Sequence, residues 1–277
     1  MFVWPSNYDF CYTLSGEITR VGVGLHSGEQ TKVKLVPFEK EGFYVSFSDK
    51  PNEIFKLDQE LIGSTMLCTA VKLGSKNLYT IEHLLSSLAG CGLSYILIEV
   101  DGKEIPLLDG SAIEWVKAFE EVGIKKVPNP SNFYREINKP IIINKDSSVI
   151  ALTPSDKISI ISTISFSYSA IGNQTFVVDL SPQNYVKSIA PARTFGFKDQ
   201  FQELSELGLI KGGSLDNALV CDGDKWVNPP LRFDDEPIRH KILDLIGDLA
   251  LVGLPKAQIL VYKGSYSLNA LLASSLK

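Results

Sequence analysis

The feature that most constrains the fold of this chain is that its order of segments occurs twice. In the first half, three stretches of alternating residues, "EITRVGVGL", "TKVKLVPF" and "GFYVSFSD", precede the helical run "TIEHLLSSLAGCG". The strand-like "SYILIEV" follows, then the turn "LLDG" and a second helix, "SAIEWVKAFEEVG". Alternation with period 2 marks half-buried strands, and apolar residues three and four apart mark helices. The second half gives "FYREINKPIIIN", "VIALTPS", "KISIISTISFSY" and "QTFVVDL". A helix over 235–252, the strand "AQILVYKG" and the helix "SLNALLASSL" then close it. Internal duplication of a two-layer α+β unit accounts for both halves. Two such units facing each other leave a cleft between them, where binding sites commonly lie.

The prolines and asparagines of "KKVPNPSN" read as a linker. They divide the chain into an expected N-terminal unit, 1–127, and a C-terminal unit, 133–277. Ser111 and Glu114 fit a capping box at the start of the second helix. The stretch "SIAPARTFGFKDQFQELSELGLIKGGSLDNALV" has no counterpart in the first half, so it reads as a specialised addition with a short helix, "KDQFQELSELG". A net charge of −5 argues against a nucleic-acid partner. The four cysteines are scattered without a CxxC pair, as expected for free thiols in a reducing compartment. No signal peptide is apparent, and no apolar run reaches the roughly 18 residues that span a bilayer. A soluble cytoplasmic protein is the expectation.

The helix over 235–252 raises a problem of charge. His240, Asp244 and Asp248 follow one another at intervals of four in a run that is apolar round most of its circumference. Such residues form one stripe, drifting by about 40° per step. A buried, unpaired carboxylate is costly, so the stripe calls for a cation: a metal, a protonated histidine, or an Arg or Lys partner. Histidine and aspartate at i, i+4 can grip one ion, and a histidine from elsewhere would complete three ligands with one position open. Of the three histidines, His83 is the best candidate, because it begins the matching helix of the other half. Glu82 beside it points about 100° away and could reach a water there. Plainer readings stand beside this one. A lone histidine is commonly structural, Glu82 suits a helix N-terminus, and Asp248 could pair with Arg239 or Lys241. Two histidines and a carboxylate also suit non-haem iron, so spacing does not name the metal.

The segments "VGLHSG", "TMLCT", "TIEHLLSSLAG", "EIPLLDGSA", "ARTFGF", "GLIKGGSLDNALV" and "LRFDDEPIRHKILDLIGDL" are collinear with motifs of a known family. Over residues 13 to 276 the chain resembles the UDP-3-O-acyl-N-acetylglucosamine deacetylases, zinc amidases of lipid A biosynthesis in Gram-negative bacteria. The resemblance implies two β-α-α-β two-layer sandwich domains packed face to face, in a protein that is usually a monomer. It implies a Zn2+ ion on His83, His240 and Asp244, with Glu82 as general base and Thr194 polarising the substrate carbonyl. Phe195 would pack on the sugar, Lys241 would lie near the diphosphate, and Met66 and Cys68 would line the site. His26 is implied only as a neighbour of the site. A second-domain insert around 160–210 would form an acyl-chain passage. The implied reaction is hydrolysis of an N-acetyl group on an acylated UDP-sugar, giving acetate and a free 2-amine.

One motif departs from that pattern. The family's last motif carries a catalytic histidine before "LN", held cationic by the carboxylate that matches Asp248. Here the segment reads "YKGSYSLNALL", and Tyr266 stands in that place. A phenol with an ordinary pKa near 10 donates a hydrogen bond, to an oxyanion or to Asp248, but supplies no charge at neutral pH. Three outcomes stay open: a slow deacetylase, a working replacement by Tyr266, or a non-catalytic protein that binds zinc or sugar nucleotide.

Overall fold

The computed structural model describes residues 2–63, 67–128 and 134–276. The duplication is visible strand by strand. The first sheet contains β1 (Ile18–Val23), β2 (Gln30–Pro37), β3 (Phe43–Phe47), β4 (Lys50–Lys56) and β5 (Ile96–Asp101). Its order is β1-β2-β5-β3-β4, with every pair antiparallel except β5 and β3. The second sheet repeats this plan with β6 (Ile141–Lys145), β7 (Ser148–Pro154), β8 (Ser159–Ser165), β9 (Asn173–Asp179) and β10 (Leu254–Tyr262). Its order is β6-β7-β10-β8-β9, again with one parallel pair, β10 and β8. A short strand, Tyr134–Glu136, adds to the start of β10. The strands alternate as their sequences require. Thr31, Val33 and Leu35 of β2 face the interior while Lys32 and Lys34 face outward.

The helices cover one face of each sheet. In the first half, α1 (Glu82–Gly90) and α2 (Ile113–Val122) flank β5 in sequence. Of the C-terminal helices, α3 (Pro182–Ser188) and α4 (Phe201–Glu206) lie in the added region, while α5 (Glu236–Leu249) and α6 (Tyr266–Ser275) occupy the duplicated positions. The two helix layers meet where α1 packs on α5. Only Arg239 and Lys241 of α5 escape burial, because this helix lies between its own sheet and α1. That placement explains its nearly all-round apolar sequence. The crossing is tight: a Cβ on Gly247 would lie 2.1 Å from the Glu82 carbonyl oxygen.

Two expectations need correction. The capping box at Ser111 and Glu114 does not form. The helix starts at Ile113 with Ala112 at its N-cap, and the Ser111 hydroxyl is engaged with Asp109. The Ser111 N–H donates to Asp109 at 3.0 Å instead of to Glu114, and the Ser111 hydroxyl accepts from the Ile113 N–H at 3.2 Å. Residues 159–179 are not an insert, because they pair as β8 and β9 of the repeated sheet. What lacks a counterpart is α3 and the small sheet formed by Phe195–Phe197, Leu219–Asp222 and Lys225–Trp226. The β8–β9 connection joins this addition through Phe166 and Tyr168, whose rings meet Phe195 and Phe197. The helix α3 is additional to the expected elements, with Ser181 as its cap and Pro182 opening it. The proposed division at 127/133 brackets residues 129–133, which lie outside the described set.

Candidate metal centre and catalytic site

The site forms where the first turn of α1 meets the middle of α5. The chain enters α1 through Thr80, whose φ of 56° lies in the left-handed region that few non-glycine residues adopt. Glu104 holds this turn by accepting the Thr80 hydroxyl at 2.8 Å. The same carboxylate accepts the backbone N–H groups of His26 and Ser27, at 2.9 and 2.8 Å. It therefore clamps the "LHSG" loop to the start of α1. Glu82 and His83 follow directly, and both are buried.

His83, His240 and Asp244 converge. Asp244 Oδ1 lies 3.3 Å from His240 Nε2 and 3.6 Å from His83 Nε2. One ligand atom from each residue falls within 4.8 Å of the others. Ligands about 2.0–2.1 Å from a tetrahedrally coordinated zinc ion are separated by roughly 3.3–3.4 Å. The spacing thus fits an ion, and unsatisfied acceptors point the same way. Among the described residues, His240 Nε2 and Asp244 Oδ1 are both buried without a hydrogen-bond partner. Native proteins rarely leave such atoms unpaired. The tautomer is fixed as a ligand needs it, because His240 Nδ1 donates to the Ala192 carbonyl at 3.0 Å and leaves Nε2 its lone pair. Burial, opposed by Asp244, pushes the His240 imidazole down to about 4, so it is neutral. Burial acts to raise the Asp244 carboxyl, yet Lys241, His240 and His83 together hold it below the usual carboxylate range.

The other candidates surround this cluster. Glu82 accepts the Thr69 N–H at 3.1 Å, and burial, then Asp244 and Asp248, raise its carboxyl well above the usual range. A carboxyl so raised is a better proton acceptor once ionised. Asp248 is also buried, and burial pushes it up to about 7 despite bonds from Thr69 and Asn269. The sequence reading offered Arg239, Lys241 or Tyr266 as its partner. Instead Thr69 Oγ1 donates to Oδ1 at 2.5 Å and Asn269 Nδ2 donates to Oδ2 at 2.9 Å. Arg239 turns away to Asp235 and the Ser188 carbonyl, over the rings of Phe176 and Phe233.

Lys241 reaches inward. Its ammonium donates to Asp244 Oδ2 at 2.9 Å and sits 4.9 Å above the Tyr266 ring and 5.7 Å from that of Phe195. Tyr266 opens α6 and is partly buried. Burial, then Asp244, Glu82 and Asp248, raise its phenol well above 10, so it remains a hydrogen-bond donor. Thr194 is fixed by its backbone: its N–H donates to Gly110 O at 2.7 Å and its carbonyl accepts from Leu219 at 2.8 Å. Gly110, at φ 81°, leaves room for the neighbouring Asn217 carbonyl, since a Cβ there would meet Asn217 O at 1.9 Å. Glu236 anchors the preceding residue, taking both the backbone N–H and the side chain of Arg193. Cys68 is buried near Glu82, with a thiol pushed by burial up to about 12, and Leu67 lines the open space instead. Met66 lies outside the described residues.

Beside the cluster lies a largely apolar cavity of about 450 Å³. Thr194, Lys241 and Tyr266 bring polar groups to its lining, and Phe166, Phe195, Leu204 and Ile210 are among its apolar walls. His26 also lines it, with Nε2 buried and unpartnered. Thr69, Asn269, Glu104 and Glu236 were missed by the sequence reading. Asn269 lies in "SYSLNALL", three residues after Tyr266, and Thr69 closes the "TMLCT" motif; neither has a periodicity that would mark it.

Comparison with known proteins gives a consistent picture. Residues 12–277 match the family model described as UDP-3-O-acyl N-acetylglycosamine deacetylase. A UDP-3-O-acyl-N-acetylglucosamine deacetylase of Trichormus variabilis is 45% identical over 269 residues, covering 95% of this chain and 96% of that one. The protein of the same name from Synechocystis is 41% identical, with 96% and 98% covered. That of Campylobacter jejuni is 37% identical over 262 residues, with 94% and 89% covered.

Proposed function

Since the chain belongs to the UDP-3-O-acyl N-acetylglycosamine deacetylase family of amide hydrolases, we propose that it removes the N-acetyl group of UDP-3-O-acyl-N-acetylglucosamine. Acetate and the free 2-amine are the products, in the service of lipid A synthesis. The observation that carries the reading is the convergence of His83, His240 and Asp244 on one point, with two buried atoms otherwise unsatisfied. These three residues would hold zinc, because two imidazoles and a carboxylate at this spacing suit its tetrahedral preference. When bound, the ion supplies Lewis acidity, which acidifies a water and polarises the acetamide carbonyl.

The chain's own residues do the rest. Glu82 takes the proton of the attacking water and returns it to the leaving amine. Thr194 donates its hydroxyl toward the oxygen of the acetamide as negative charge develops there. Lys241, already bonded to Asp244 Oδ2, orients that carboxylate from its outer side. Phe195 stacks against the sugar, and the apolar cavity takes the acyl chain. Purified protein supplied with zinc and UDP-3-O-acyl-N-acetylglucosamine is expected to release acetate, and a chelator to stop it. Retained substrate binding with no acetate, at any metal loading, would leave a sugar-nucleotide binding protein instead.

Tyr266 has one role open to it in this scheme. Asp248 accepts from Thr69 and Asn269 rather than from Tyr266, which leaves the phenol to donate toward the substrate. Tyr266→Phe is expected to lower kcat by about 10- to 100-fold, the worth of one hydrogen bond to a charged group. Tyr266→His tests the slow-enzyme alternative in the same assay, since a strong rise in kcat would mean that the tyrosine under-performs. An unchanged rate in Tyr266→Phe removes the hydroxyl from the chemistry.

A further inference from the structure

The interior between α1, α5 and α6 holds a chain of polar contacts that the proposed reaction does not use directly. Thr69 sits at its centre and is only 2% exposed. Its N–H donates to Glu82 Oε2 at 3.1 Å, and its carbonyl accepts from Ile81 N at 3.3 Å. Its hydroxyl donates to Asp248 Oδ1 at 2.5 Å. The second Asp248 oxygen accepts from Asn269 Nδ2 at 2.9 Å. The N–H, the carbonyl and the hydroxyl proton of Thr69 are thus all engaged, and two of these three bonds go to the entry of α1, at Ile81 and Glu82.

From this geometry we infer that Thr69, anchored by Asp248 and Asn269, is a positioning residue that sets the orientation of the Glu82 carboxylate. The inference rests on the role of Glu82 as general base. A general base needs one oxygen held and the other turned to the reacting water, within hydrogen-bond reach. The Thr69 amide holds Oε2, and the Thr69 hydroxyl prevents that amide from rotating. Asp248 therefore acts through Thr69, from α5 to α1, and α6 contributes through Asn269.

The energetics favour positioning over stability as the reason for the chain. Asp248 is a buried carboxylate with no cation bonded to it among the described residues, in a neighbourhood that already contains Glu82 and Asp244. Apolar residues of similar volume commonly stabilise a core at least as well as buried charge. Asn269 holds its amide toward Asp248 although its own Oδ1 is buried without a partner. Two costly groups are thus arranged around one threonine hydroxyl. The nearest cation, Lys241, is bonded to Asp244 instead.

The test keeps the amide and changes the hydroxyl. Thr69→Val retains volume and the N–H to Glu82, and Thr69→Ser restores the donor. Thr69→Val is expected to lose about tenfold or more in kcat with KM within about twofold, as for a misaligned reacting group. Thr69→Ser should recover most of that loss. Equal rates in both variants and the parent would overturn the inference, as would a loss in Thr69→Val that serine does not rescue. Should the valine variant fail to fold, Asn269→Ala provides the same kcat-against-KM comparison, and an unchanged kcat there counts against the inference. A crystal structure of whichever variant folds decides independently of turnover: the Glu82 carboxylate should leave its present orientation, and an unmoved carboxylate refutes the role of Thr69. A parent protein that releases no acetate would defeat the functional reading alone, leaving the crystallographic result to judge Thr69.

Discussion

Glu82→Gln is expected to lower kcat for acetate release by roughly 10²- to 10⁴-fold, the range typical of a lost general base. The glutamine has the same shape, and its carbonyl can still accept the Thr69 N–H. It cannot accept a proton at neutral pH. His83, His240 and Asp244 are untouched, so bound metal measured by elemental analysis should match the parent. Thermal stability should be equal or higher. Glu82 is a buried carboxylate whose ionisation is opposed by burial and by Asp244 and Asp248, and an uncharged amide removes that repulsion. Loss of rate with retained metal and undiminished Tm would therefore isolate the proton transfer. A glutamine variant within threefold of the parent rate would transfer the role of base to another group.

How much of this was legible in the sequence differs between fold and site. The duplication was readable because each half repeats the same order of patterned segments, and patterning follows directly from which face of a strand or helix is buried. The convergence of His83 with His240 and Asp244 was half legible. The interval of four on α5 puts two ligands on one face, whereas the third lies 157 residues away along the chain, as the residue numbers give. Only the matching position of α1 in the repeat suggested their meeting. The partners of Asp248 were not legible at all. Thr69 and Asn269 come from a loop and from α6, and hydrogen bonds between distant segments leave no periodic trace. The insert implied around 160–210 began too early: "KISIISTISFSY" and "QTFVVDL" carry the patterning of the repeated unit, and they pair within its sheet. Pairing of β8 with β10 is a long-range fact, set by the sheet plan. The capping box failed for a related reason: Asp109, two residues away, takes the Ser111 N–H that Glu114 would have accepted.

Gly247→Ala should damage stability and turnover together, although residue 247 carries no chemistry. The α1–α5 crossing brings the Glu82 carbonyl to the place where a Cβ would stand, at 2.1 Å, with the Glu82 Cα at 3.0 Å. The obstacle is backbone at the start of α1, so no side-chain rotation can relieve it. The two helices must separate by more than an ångström or α1 must tilt. Overpacking of this kind typically costs about 1–3 kcal/mol and occasionally more. Tilting α1 also shifts Glu82 and His83 together, while His240 and Asp244 remain on α5, so the three ligand atoms lose their common centre. A displacement near 1 Å at a reacting group can cost about 10²-fold in rate. The alanine variant is therefore expected to melt at lower temperature, to bind metal more weakly and to lose about 10² in kcat/KM. Calorimetry, metal titration and steady-state kinetics read these three effects separately. If all three match the parent, the closeness of the two helices is not what holds the ligands together.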